Sequence, residues 1–322
     1  MPVAISGGSK IRTNIPAENA YNSLLAANNN IALRQLRLST GKRINAASDD
    51  VAGYITSRAL AARNSSLKSA LNAVGEAKNV TAIAQDALDN IQGLINEIKT
   101  SAATASSGAL GTDEKVALAK GAYRLAQQIQ FITDSTVFGG KQLLQGAYTG
   151  DWTVGFYADN TLLELEVNIS TDNADYNITG GASNDFNLNA TSDALAAVGG
   201  VTSNFAGVEG LTLEDLDSIS TSDLGIFSEA NINTTLQSLS QAIDNVNKVA
   251  SYIGGIEVRL NSQESLLTSQ ITNYNAAISR IEDADVATEQ LELIKSQFLQ
   301  QSSLISLAQA NQNPQSFLQL FR

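Results

Sequence analysis

From Leu236 to Ile281, apolar residues recur in alternating steps of three and four. The positions are Leu236, Leu239, Ile243, Val246, Ala250, Ile253, Glu257, Leu260, Glu264, Leu267, Ile271, Tyr274, Ile278 and Ile281, interrupted only by the two glutamates. A 3-4 spacing held over so many turns predicts a coiled-coil helix whose stripe is buried against other helices. At Ile281 the phase slips. The next step is three again, to Ala284, and the stripe continues through Ala287, Leu291, Ile294, Phe298, Ile305 and Ala308. A three-residue insertion of this kind overwinds a coiled coil locally and can mark a join between two bundles.

The rest of the chain has to supply the partners. A helix is predicted from Ala17, with Tyr21, Leu24, Ile31 and Leu38 on one stripe and Asn28 and Gln35 in its gaps. A second begins after Ser48-Asp49-Asp50 and extends to about Thr104, its stripe running Leu67, Leu71, Val74, Lys78, Thr81, Gln85, Leu88, Ile91, Ile95, Ile98 and Ala102. The polar middle of that stripe suggests a partner other than a plain coiled coil. Thr112, followed by Asp113 and Glu114, is expected to cap a third helix with Leu118, Ala122, Leu125, Ile129 and Ile132 on its face. The period then changes to two. Trp152, Val154 and Phe156, then Leu163, Leu165 and Val167, flank Asp159-Asn160 and predict a β-hairpin. Residues 171–224 are rich in Gly, Asn, Asp and Ser and read as a small β-leaning insert. The expected fold is mainly α: a long antiparallel helical coiled-coil bundle with a β-hairpin and an inserted outer domain. Within it, Leu88, Ile91, Ile95, Ile98, Ile243, Val246, Leu260, Leu267 and Ile271 are the expected bundle seam.

Composition narrows the function. There is no cysteine and no histidine, so disulfides, thiolate metal sites and the commonest general base are absent. A zinc-protease motif, which needs two histidines, is excluded. Glu164 and Glu166 alternate on the polar face of a predicted strand, where solvent exposure rather than acid–base work is expected. No catalytic, cofactor or metal residue is assigned. Of the 32 acidic residues, 14 lie in 151–240, which holds no Lys or Arg; elsewhere 18 acidic residues face 20 basic ones. The one-signed block reads as a solubilising surface and argues against nucleic acid as partner. No apolar run is long enough to span a membrane. The first sixteen residues lack the apolar core of a secretory signal, so export is expected by a route without a cleaved signal.

Both ends carry uncharged helical pattern: no charge occurs from Asn19 to Leu33 or from Ser296 to Phe321. The second stretch places glutamines between its apolar positions. Such helices suit burial by other copies, with side-chain amides bonding across helices, and the two ends could pair with each other.

The motifs LSTGKRINAASDDVAGYITSRA (Leu38 to Ala59), SRIEDADVATE (Ser279 to Glu289) and FLQQSSLISLAQANQNPQSFLQLFR (Phe298 to Arg322), with TVFGGKQLL (Thr136 to Leu144), resemble bacterial flagellin. The resemblance covers about residues 1–170 and 225–322. It implies terminal segments, 1–45 and 284–322, that are disordered in the free monomer and form the inner tube of a filament. It implies a helical bundle domain with the hairpin, 46–170 and 225–283, and a variable outward insert, 171–224. The implied function is a structural subunit that polymerises with itself into the flagellar filament, outside the cell. Implied partners are further copies of the chain, a filament cap, hook–filament junction proteins and an export chaperone serving an unfolded export route. The residues expected to carry self-assembly are Tyr21, Leu24, Ile31, Leu38, Leu291, Ile294, Phe298, Ile305 and Leu318. Of these, the stripe after the phase slip is expected to be exposed in the monomer and buried in the filament.

Two departures stand out. Gly139-Gly140 replaces a common Asn-Gly. Along Asn96 to Thr104, a glutamate, Glu97, stands where relatives sensed by a vertebrate toll-like receptor carry their first arginine. The alternative within the same family is a hook–filament junction protein; the ANQNPQSFLQLFR ending favours flagellin. A coiled-coil adhesin would not need uncharged termini.

Overall fold

The computed structural model describes residues 14–145, 147–157, 161–170, 173–176 and 219–320. Most of the insert, the Asp159-Asn160 turn and the side chain of Leu318 lie outside the described residues. The described residues form five α-helices: α1 (Ile15–Thr40), α2 (Val51–Ala105), α3 (Thr112–Ser135), α4 (Ile232–Glu282) and α5 (Val286–Leu320). Two antiparallel pairs join them, β1 (Val137–Phe138) with β2 (Lys141–Gln142), and β3 (Ala147–Phe156) with β4 (Leu162–Ser170). The chain divides into two compact units, Met1–Ser65 with Ile271–Arg322, and Ser66–Gln270. No helix among the described residues is long and apolar enough to cross a membrane.

The second unit is a coiled coil of α2 and α4, backed by α3 and the strands. Lys78 Nζ meets Glu264 Oε2 at 2.6 Å and Gln92 Nε2 donates to Asn247 Oδ1 at 2.7 Å, so α4 runs antiparallel to α2. On α4, and on α2 as far as Leu88, the seam differs from the expected stripe by one residue in every second step; from Leu88 to Ala102 the two coincide. On α2 it runs through Leu67, Ala70, Val74, Ala77, Thr81, Ala84, Leu88, Ile91, Ile95, Ile98 and Ala102, all buried. Leu71, Lys78 and Gln85 stand beside it, so no unusual partner is needed for a polar middle: alanines let the two backbones approach there. On α4 the buried row is Leu239, Ala242, Val246, Val249, Ile253, Ile256, Leu260 and Leu267, and neither Glu257 nor Glu264 belongs to it. Ile243 and Ile271 are half-buried on its flank.

The hairpin is tied to this coil through a defect in its own pairing. Trp152 faces Leu165 and Thr153 faces Glu164, but Gly155 faces Leu163, so Val154 is an extra residue. A bulge of this kind flips the alternation after it. Phe156 therefore drops out of the row that Trp152 and Val154 were expected to share with it, while Val167 and Ile169 are fully buried on β4. Gln263 Nε2 donates to the Val154 carbonyl at 2.6 Å, giving the bulge a partner on α4. Between β1 and β2, Gly139 and Gly140 have φ of 58° and 81°. A type I′ two-residue hairpin turn needs positive φ at both positions, so the glycine pair meets the demand that Asn-Gly meets elsewhere.

One expected cap and the expected insertion differ in the structure. Gly111, not Thr112, is the N-cap of α3, and it contributes no side-chain bond. The phase slip after Ile281 is not an overwound continuous helix. α4 ends at Glu282 and α5 begins at Val286. Asp285 accepts from the amides of Ala287 and Thr288 and from the Thr288 hydroxyl, which restarts the helix instead of stretching the coil across the insertion.

Candidate assembly surface

The break between α4 and α5 lies against the break between α1 and α2, within the first unit. α1 is capped at its C-terminus by Gly41, whose φ is 70°. The Ala284 amide donates to the Gly41 carbonyl at 2.9 Å, and the Arg43 amide to the Glu282 carbonyl at 2.6 Å. Lys42 Nζ pairs with Glu282 Oε1 at 2.5 Å, and Arg43 donates to the Ile281 carbonyl at 2.8 Å. Asp49 Oδ2 accepts from the amides of Asn45 and Ala46, both at 2.9 Å. Those backbone donors hold its carboxyl below the usual carboxylate range. Asp50 accepts from the Gly53 amide at 2.9 Å and so opens α2. The motifs at the two ends of the sequence thus form one clasp.

Beyond the clasp, α1 packs along α5. Of the segments expected to be disordered in the free monomer, Ile15–Thr40 and Val286–Leu320 are helices here, each supplying the other's polar partners. Glu289 bridges Arg34 at 2.7 Å and Arg37 at 3.2 Å, with only 8% of its side chain exposed. Burial pushes its carboxyl up, but the hydrogen bonds and charges of the two arginines outweigh burial and hold it below the ordinary glutamate range. Gln300 Nε2 donates to Asn28 Oδ1 at 2.6 Å, and Asn14 Nδ2 to the Ala310 carbonyl at 2.8 Å.

The row of α5 turned toward α1 is Glu289, Leu293, Ser296, Gln300, Ser303, Leu307 and Ala310, buried or half-buried throughout. It mixes Leu293, Leu307 and Ala310 with Glu289, Ser296, Gln300 and Ser303. On α1 only Ala27 is fully buried; Leu24, Ile31 and Leu38 are half-buried. The large apolar side chains face the other way. Leu291, Ile294, Phe298 and Ile305 are 63%, 57%, 70% and 69% exposed, and Tyr21 is 51% exposed. Leu25, Leu36, Leu299 and Leu304 are exposed as well. Tyr21 is therefore not on the stripe that meets α5; Ala20 occupies that step. The terminal pair buries a mixed set of small, polar and apolar side chains and leaves many of its larger apolar ones outside, unlike a self-sufficient coiled coil.

The bacterial flagellin N-terminal helical region matches residues 11–149, and the bacterial flagellin C-terminal helical region matches residues 236–321. This chain belongs to the flagellin family. Curated flagellins align along nearly its whole length: that of Bacillus subtilis is 28% identical over 324 residues, covering 97% of this chain and all of the relative. That of Halalkalibacterium halodurans is 28% identical over 312 residues, covering 97% of this chain and 99% of the relative. Among solved structures, a flagellar hook-associated protein from Vibrio parahaemolyticus superposes with a TM-score of 0.53 at 14% identity, over 73% of this chain and all of that one, which is a likeness of fold. The family's two helical regions contain both halves of the clasp and both members of the terminal pair.

Proposed function

We infer that copies of this chain polymerise, through the outer faces of the α1–α5 pair, into the filament of the bacterial flagellum, where the chain is a structural subunit. The family supports the filament. The observation that carries the choice of surface is the outer face of α5: Leu291, Ile294, Phe298 and Ile305 form a large apolar row that the other described residues leave exposed. In this reading 1–45 and 284–322 line the filament's inner tube. Residues 46–170 and 225–283 form the surrounding bundle, and 171–224, with its acidic excess, face outward. Tyr21, Leu24, Ile31 and Leu38 act with the α5 row and Leu318 in contacts between subunits. The filament cap, hook–filament junction proteins and an export chaperone are partners proposed by the same reasoning, with the uncharged termini as the segments they would hold.

Electron microscopy of the purified chain, seeded and concentrated, tests the reading. Helical filaments are expected. A chain that stays monomeric under seeding and salting-out, with its helices intact by circular dichroism, would refute it.

A further inference from the structure

Burial of apolar surface alone would turn α5 the other way. Its outer row of Leu291, Ile294, Phe298 and Ile305 is larger and more apolar than the row that meets α1, where only Leu293, Leu307 and Ala310 are apolar, and the two rows lie on opposite sides of the helix. Small residues also hold a facing weakly, because they offer little shape to interlock. The clasp at Gly41 and Ala284 fixes where α5 starts, but a backbone contact at one end does not choose the side a long helix presents. Something within the pair has to.

We propose that Glu289 is the positioning residue that sets the facing of α5: paired with Arg34 and Arg37, it keeps the polar row inward and the apolar row free for a second copy. Both guanidinium groups are largely covered, at 23% and 17% side-chain exposure, and Glu289 is the carboxylate bonded to each. The Nε atoms of both arginines are buried without a hydrogen-bond partner. The arginines therefore depend on Glu289. A half-turn of α5 would carry that carboxylate away from two covered cations, leaving Arg37 only the longer-range field of Asp49, a cost that opposes the apolar gain of rolling inward. Charge groups are directional where alanine and serine are not, so one carboxylate near the start of α5 can decide the side shown by the turns that follow. Asn28 with Gln300, and Asn14 with the Ala310 carbonyl, continue the same facing along the helix.

The inference rests on the assembly reading above, and the experiment separates the two. The chain has no cysteine, so Asn28→Cys with Gln300→Cys gives a unique pair for a short bis-maleimide across the inner face. The parent chain carrying this pair is polymerised and cross-linked first. Absence of filaments from the chain without any cysteine counts against the function; filaments without the intramolecular cross-link count against the inner facing. Glu289→Gln is then compared. The expected result is a loss of the cross-link and a critical concentration raised roughly tenfold or more. Because that variant could lose the helix pair altogether, Glu289→Arg is also combined with Arg34→Glu and Arg37→Glu. This triple variant restores opposite charges at the same places, and it is expected to recover both cross-link and assembly. Glu289→Gln filaments with unchanged cross-link and critical concentration would overturn the proposal, and so would a triple variant no better than Glu289→Arg alone.

Discussion

The amide of Ala284 donates to the carbonyl of Gly41 at 2.9 Å, joining the two places where the long helices break. Gly41 has to be left-handed to present that carbonyl, at φ 70°, and an added Cβ would meet nothing within 4 Å. The cost of substitution there is conformational and not steric. Gly41→Val should destabilise the clasp by about 1–2 kcal/mol, whereas Gly41→Asn, which tolerates the left-handed region, should cost clearly less. Thermal denaturation of the two variants side by side checks this; equal losses would place the cause elsewhere.

Gly53 poses the opposite case. A Cβ there would come 2.5 Å from Asp50 Oδ2 and 2.7 Å from Ile44 Cδ1. Gly53→Ala should displace the carboxylate that opens α2, with a loss of about 1 kcal/mol on the scale of a missing N-cap. Asp50→Ala in the same background should then add little. A full additional loss for Asp50→Ala would show that the cap survives the methyl group.

In the coil of α2 and α4, the seam alanines and their charged neighbours should respond differently. Ala77 is fully buried, so Ala77→Leu overpacks the seam and should cost about 1–3 kcal/mol. Lys78, one residue along, pairs with Glu264 at side-chain exposures of 31% and 44%, so Lys78→Ala should cost less than about 1 kcal/mol. Urea denaturation of each variant measures both; the reverse order would put the seam back on Lys78.

Acid should loosen the first unit. Glu289, Asp49 and Asp285 all have carboxyls held below their ordinary range in the folded chain. Groups with depressed folded values contribute stability that is present above the unfolded value and lost as pH falls through the folded one. The α1–α5 pair should therefore weaken below the ordinary carboxylate range, facing Arg34 and Arg37 with a neutral Glu289. Filament dissociation followed against pH should show this transition flattened in Glu289→Gln. An unchanged acid profile in that variant would remove Glu289 from the response.

Much of this architecture is legible in the chain itself, and the misreadings share one cause. A stripe can step four then three, or three then four, about the same anchors. Leu239, Val246, Ile253, Leu260 and Leu267 anchor α4 either way. A search for bulk picks Ile243 and then has to accept Glu257 and Glu264. The other order takes Ala242, Val249, Ile256 and Gln263 and needs no charge in the seam. Ala70, Ala77 and Ala84 on α2, and Ala20 and Ala27 on α1, stand out little in the sequence for the same reason: small side chains carry little hydropathy yet permit close backbones. The two glutamates were the signal that could have decided the order. The clasp was not legible, because its bonds are between backbone groups from distant parts of the chain. The break between Glu282 and Val286 has a local sign in its N-cap, Asp285, which a search for apolar spacing alone does not weigh. The β-bulge at Val154 likewise answers to Gln263, far along the chain.

The central claim is that the outer row of α5 is a surface for other copies, and Phe298 tests it most directly. At 70% exposure it contributes little to the isolated chain. Truncating a Phe that becomes fully buried costs about 3–5 kcal/mol. In a polymer that cost recurs in every subunit, so Phe298→Ala should raise the critical concentration by roughly two orders of magnitude or more, at about 1.4 kcal/mol per tenfold. The melting temperature of the monomer should stay where it is. A monomer that melts much lower while polymerisation is unchanged would place Phe298 in the chain's own core and contradict the account.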